Sequence, residues 1–157
     1  MKQLTMLVLA AMLAGMAGTG WAADTGTITV TVSLESTISV SLDKTAWGLG
    51  PVAAGSTSAP ETFTATVGNT VTKLEVAGTD AAGGWVLDTT AGADKFVVSV
   101  ADTGPLFSLA AANQTLAAGV PAYGSKEFSL TYSAPTSDTK GAGVDQGFSV
   151  TVTASAP

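Results

Sequence analysis

Between residues 28 and 42 every apolar side chain falls on an even position: Ile28, Val30, Val32, Leu34, Ile38, Val40 and Leu42. Thr27, Thr29, Thr31, Ser33, Glu35, Thr37, Ser39 and Ser41 fill the odd ones. Successive side chains of a strand point to opposite faces, so the alternation predicts a strand with one greasy edge and one hydroxyl edge. These fifteen residues, at about 3.3 Å each, reach roughly 50 Å, against about 5 or 6 residues for an ordinary strand. One domain of this size can hardly bury all of that edge.

The rest of the chain alternates in shorter pieces. A turn-rich crossing segment from Trp47 to Ser56, with Gly48, Gly50 and Gly55 and bounded by Pro51 and Pro60, separates the long strand from the next. Phe63, Ala65 and Val67 alternate with Thr62, Thr64 and Thr66, which predicts a strand over 61–67. Gly68-Asn69 then reads as a hairpin turn into a strand over 71–76. Residues 85–88 form a short strand, and residues 95–101, apolar on both parities, form a central two-sided one. Residues 106–116 are Ala-rich without a clean period, which fits either a helical turn or a loop. Phe128, Leu130 and Tyr132 share one face of a strand over 127–132, and Phe148, Val150 and Val152 point inward from a last strand over 147–153. Seven or eight strands punctuated by Gly and Pro, with no convincing helix, predict an all-β fold, an antiparallel β-sandwich of immunoglobulin-like type.

Composition narrows the setting. Met1-Lys2-Gln3, an apolar run to Ala14 and a small-residue stretch ending Gly20-Trp21-Ala22 have the three parts of a secretory signal peptide, with cleavage after Ala22 or Ala23. Residues 1–22 are therefore set aside, and residues 23–157 are expected to form one β-sandwich domain with 23–34 as a projecting N-terminal strand. No later stretch approaches the ~20 consecutive apolar residues of a membrane-spanning helix. The expected location is secreted, extracellular or at the cell surface, with periplasmic transit if the envelope has two membranes. Without Cys the chain has neither a disulfide nor a lipid-anchored thiol. Twelve carboxylates against six cations, none of them Arg, make a poor surface for phosphates, and nucleic acid is excluded as a partner.

The absence of His and Cys also removes the usual zinc sites and the Ser-His and Cys-His nucleophile systems. Ser125-Lys126 is a neighbouring pair, but adjacent strand residues point to opposite faces and cannot act as a dyad. Glu35, Glu61, Glu75 and Glu127 sit at polar parity, where solvation accounts for them better than paired-carboxylate glycoside chemistry. Asp80, Asp88, Asp94, Asp102, Asp138 and Asp145 lie in or beside loops without the dense spacing of a Ca²⁺ loop. No catalytic residue, metal or cofactor is expected. Trp85 and Tyr132 share parity with Leu87 and Leu130 and read as core, whereas Trp47 and Tyr123, in Gly-rich loops, are the candidates for stacking on sugar rings. Asn113-Gln114-Thr115 has the form of a glycosylation acceptor, a match too short to carry weight.

From Leu42 to Asp88 the order strand, Trp47-Gly48-Leu49-Gly50-Pro51-Val52, Gly55-Ser56, strand, Val67-Gly68-Asn69, strand, Gly84-Trp85-Val86-Leu87 resembles bacterial cell-surface sandwich domains. It is similar to the WxL-type surface domain and, more loosely, to camelysin-type biofilm-fibre subunits. Trp85-Val86-Leu87 matches one Trp-x-Leu tripeptide; where the WxL domain has a second near its C-terminus, this chain has Val150-Thr151-Val152. The resemblance implies a surface location and an assembly or adhesive role, with nothing catalytic.

Energetics bound what the long strand can do. Fixing residues 28–34 costs on the order of 7 to 14 kcal/mol of backbone entropy, and burying Ile28, Val30, Val32 and Leu34 returns about 6 to 12 kcal/mol. The segment orders only where it also gains a hydrogen-bonded ladder. Its own domain could supply one if the chain bends at Glu35-Ser36-Thr37 and changes sheet. Alternatively the segment fills an open edge in another subunit, with Ile28, Val30, Val32 and Leu34 as inserting knobs and Phe148, Val150 and Val152 bordering the accepting edge. The expectation is a non-enzymatic structural subunit of a filament, pilus or biofilm matrix, self-associating into a homopolymer. The other reading is a carbohydrate- or cell-wall-binding module using Trp47 and Tyr123.

Overall fold

The computed structural model describes residues 28–102, 106–140 and 143–157. The expected signal peptide lies outside the described residues. The chain divides into two units, Met1–Leu34 and Glu35–Pro157. Of the first, residues 28–34 are described, and none of them belongs to a strand.

The second unit is all-β. Its strands are β1 (Val40–Leu42), β2 (Glu61–Val67), β3 (Thr72–Gly78), β4 (Val86–Leu87), β5 (Lys95–Ala101), β6 (Phe107–Ser108), β7 (Gln114–Val120), β8 (Ser125–Ser133) and β9 (Val150–Ser155). One sheet runs β1-β2-β8-β5-β4, with β6 also on β5, and the other runs β7-β3-β9. Among the described strands β4 pairs with β5 in the parallel sense and the other strand pairs are antiparallel. A single apolar cluster joins them: Phe63, Ala65, Phe96, Val98, Val100, Phe128, Leu130 and Tyr132 from the larger sheet meet Leu74, Val76, Leu116 and Val120 from the smaller. Alternation produces this directly, since the inward parity of each strand is buried while Thr62, Thr64, Ser129 and Thr131 stay at least partly in water.

Four sequence expectations change. The long strand over 28–42 shrinks to Val40–Leu42, because only those residues find a ladder, on β2 through Val40↔Val67, Ser41↔Thr66 and Leu42↔Ala65. Gly68-Asn69 is not a hairpin turn: β2 and β3 belong to different sheets, so the connection crosses between them. The Ala-rich stretch 106–116 forms no helical turn; it contributes β6 and the first three residues of β7, with residues 109–113 as the loop between them. Its missing period has a physical cause, because β7 slips register against β3 between Thr72 and Leu74 and again between Leu74 and Glu75. The sheet is also not wholly antiparallel, since Val86 and Leu87 add beside Lys95 and Phe96 in the parallel sense.

Candidate functional site

The larger sheet has a row of five strands and the smaller has three. β1 is an edge of the larger sheet and β9 an edge of the smaller, and the two lie against each other. Between the sheets there is a groove of about 900 Å³. Its lining is mixed: Phe63, Phe128, Tyr132 and Phe148, with Leu42 of β1 and Val150 and Val152 of β9, make an apolar wall, and Trp47 and Trp85 share the mouth with Lys44, Asp138, Asp145 and Gln146. Phe63 and Phe128 stack with centroids 5.8 Å apart, Tyr132 and Phe148 likewise at 5.8 Å, and Trp47 meets the Phe63 ring edge-on at 6.3 Å.

β9 carries the sequence VTVTAS, with no charge, Pro or Gly. It pairs with β3 through six consecutive residues, from Lys73↔Ser155 to Gly78↔Val150, with no shift of register. Its inward parity, Val150, Val152 and Ala154, packs partly buried on the core, as does Phe148 just before it. The opposite edge of the same sheet, β7, is broken by the two register shifts. Natural edges are blunted by charge, Pro or bulges. β7 has bulges, and β9 has none of the three.

Residues 28–34 are the apolar counterpart. Ile28, Val30, Val32 and Leu34 are 88%, 75%, 78% and 91% exposed, and Thr29, Thr31 and Ser33 between them are exposed as well. The segment that follows is held. The Asn69 carboxamide accepts the Thr37 amide proton at 2.6 Å and donates to the Glu35 carbonyl at 2.7 Å, while the Gly68 N–H donates to the Ser39 carbonyl at 3.1 Å. Sequence reasoning missed this cradle because a Gly-Asn pair carries the same signature as a turn. It missed Gln146 too, whose side chain accepts from the Trp85 N–H at 3.3 Å and donates to the Gly83 carbonyl at 3.2 Å.

The two candidate sugar-stacking residues are not brought together. Trp47 is partly buried in the groove, whereas Tyr123 stands 77% exposed, at φ 57°, in the turn after β7 and outside the groove lining. Trp85, read as core, also lines the groove, and its indole N–H donates to Asp138 at 3.2 Å.

The carboxylates do structural work. Asp80 accepts the Leu87 amide at 2.8 Å and Asp43 the Thr64 amide at 2.8 Å. Lys44, Lys73, Lys95, Lys126 and Lys140 pair respectively with Glu61, Glu75, Asp88, Asp102 and Asp94. The hydrogen bond to Glu61 raises the Lys44 ammonium above its ordinary range, and that from Lys95 lowers the Asp88 carboxyl. Among the described residues no three carboxylates converge as metal ligands would. The site therefore offers a groove with one apolar wall beside the edge strand β9. No protein-family model matches this chain, and no curated protein matches it.

Proposed function

We propose that this chain is an exported, non-catalytic structural subunit that assembles by strand addition: an immunoglobulin-like sandwich with an open edge at β9, completed by residues 28–34 of another copy. One observation carries the reading. An uncharged, regularly paired edge strand borders a groove of about 900 Å³ whose wall carries Phe63, Phe128, Tyr132 and Phe148, in a chain that displays four exposed apolar side chains at strict two-residue spacing. Laid beside β9, Ile28, Val30, Val32 and Leu34 fill the trough while Thr29, Thr31 and Ser33 continue the polar parity of Thr151 and Thr153. Backbone bonds supply affinity and the alternate pockets supply register. Donor and acceptor surfaces differ, so the contact is heterologous and propagates as a filament.

Electron microscopy and sedimentation of the purified protein at rising concentration test this directly. The chain assembles, and the same chain lacking residues 23–34 remains monomeric. Fibres formed by the deletion variant would falsify the proposal.

A further inference from the structure

The cradle formed by Gly68 and Asn69 acts on three alternate residues of one segment. Asn69 bonds the Glu35 carbonyl and the Thr37 amide, Gly68 bonds the Ser39 carbonyl, and no turn or bend falls within residues 35–39. Side chain and backbone together behave as a short strand partner that keeps this segment extended. The approach is close: a Cβ on Gly68 would lie 2.6 Å from the Thr37 carbonyl oxygen and 2.6 Å from Ser39 Oγ, so only glycine admits the chain there.

That geometry has a consequence for where residues 28–34 can go. They precede β1, and β1 itself edges the groove through Leu42. Residues 28–34 are joined to β1 only through residues 35–39, so laying the chain's own arm beside β1, in the groove that β1 edges, requires a reversal between Leu34 and Val40. The residues available for that reversal are 35–39, the ones the cradle holds extended. A tight hairpin there would need to break the Asn69 bonds and adopt φ values that Ser36 and Thr37 disfavour.

Resting on the strand-addition reading, we infer that Gly68 and Asn69 are positioning residues that make donation intermolecular: they keep each subunit's arm out of its own groove and leave it for a second copy. Releasing the cradle converts polymer into self-capped monomer. The two side-chain bonds of Asn69, at about 1 kcal/mol each net, correspond to a shift of about tenfold or more in the balance between the two forms.

The test compares the full-length chain with Asn69→Ala and, as an independent route to the same release, Gly68→Ala. Sedimentation measures the polymer fraction, and limited proteolysis of the monomer fraction reports whether residues 28–34 are sheltered. Both variants are expected to hold about tenfold more monomer, with the arm resisting protease independently of concentration. A chain carrying Val30→Ser and Val32→Ser, with and without Asn69→Ala, controls for damage to the groove: both forms should bind a synthetic peptide of residues 25–34 equally. Variants that polymerise like the parent, or whose monomers lose the arm to protease as fast as the parent's, overturn the inference alone. A parent chain that neither polymerises nor binds the peptide overturns the strand-addition reading and the inference with it.

Discussion

Phe63 on β2 lies directly opposite Phe128 on β8, and their rings stack at 5.8 Å and 22° on the floor of the groove. Both are nearly buried, at 6% and 3% exposure, although one side of the pair faces the groove rather than packed protein. The pair therefore supports both the core and the trough. Phe128→Ala is expected to lower unfolding stability by about 3 kcal/mol, the low end of the usual range for such truncations, because the space it leaves opens into the groove instead of closing as a sealed void. Denaturant titration of single and double variants checks this. Phe63→Ala combined with Phe128→Ala should cost less than the two singles added, by about 0.5–1.5 kcal/mol, which is the value of the ring contact itself.

Acid should loosen the connection after β8. Asp94 sits at φ 54° and binds Thr139 through both its hydroxyl and its amide, the latter at 2.7 Å, with Lys140 at 3.6 Å. Those contacts, the Thr139 hydroxyl first, hold its carboxyl below the ordinary value of 3.8. A folded-state value below the unfolded one means stability that is present above the unfolded value and is lost as pH falls through the folded one. Asp88, lowered chiefly by Lys95, acts in the same direction. Asp94→Asn keeps a residue that tolerates the left-handed backbone and removes the charge. It is expected to be less stable than the parent at pH 7 and to lose less on acidification below about pH 4. Denaturant midpoints measured across that range decide it, and an unchanged acid slope would count against the assignment.

At the alkaline end the relevant group is Tyr132, 2% exposed on β8, whose hydroxyl is pushed up from 10.0 to about 12 by burial. Here the folded value is the higher, so stability is complete below pH 10 and declines as pH rises toward 12, when the unfolded chain ionises first. In a Tyr123→Phe background, tyrosinate absorbance should appear near pH 12 in the folded protein and move to lower pH in denaturant. Tyr132→Phe should flatten the alkaline loss of stability.

What could be read from the chain divides along a physical line. β2 and β8 were visible as alternation because each is paired on both sides and buries one parity without interruption, as Phe63, Ala65 and Val67 or Phe128, Leu130 and Tyr132 show, and β5 was visible as a two-sided apolar run because Val97 is buried along with Phe96, Val98 and Val100. β7 was not visible, since bulges let Thr115 and Leu116 break step with Ala118 and Gly119. Strand order is non-local: nothing near Gly68 says that β2 turns to β8, some 60 residues on, rather than to β3. The exposed apolar parity of residues 28–34 was legible because solvent-facing Ile, Val and Leu at even spacing are unusual in any monomer. The cradle that holds residues 35–39 was not, because the same Gly-Asn pair that ends a strand can also clasp another one.

An edge strand can be closed by pointing a charge inward, and β9 offers a position for it. Val152 faces the groove opposite Val76 in register and is only partly buried. A lysine there can run its stem along the apolar wall and carry its ammonium to the open side, so the Val152→Lys monomer should stay folded at a cost of about 1.5–3 kcal/mol. A strand laid over it would have to bury that ammonium without a partner, so assembly should stop. The same variant keeps an intact donor segment, whereas Val30→Ser with Val32→Ser keeps an intact groove and a spoiled donor. Neither should assemble alone. Mixed, the arm of the first can enter the groove of the second but nothing can continue the chain at either end, so the product should be a one-to-one heterodimer and no fibre. Sedimentation of the mixture reads this outcome. A mixture that stays monomeric, or a Val152→Lys chain that polymerises alone, would show that β9 is not where subunits join.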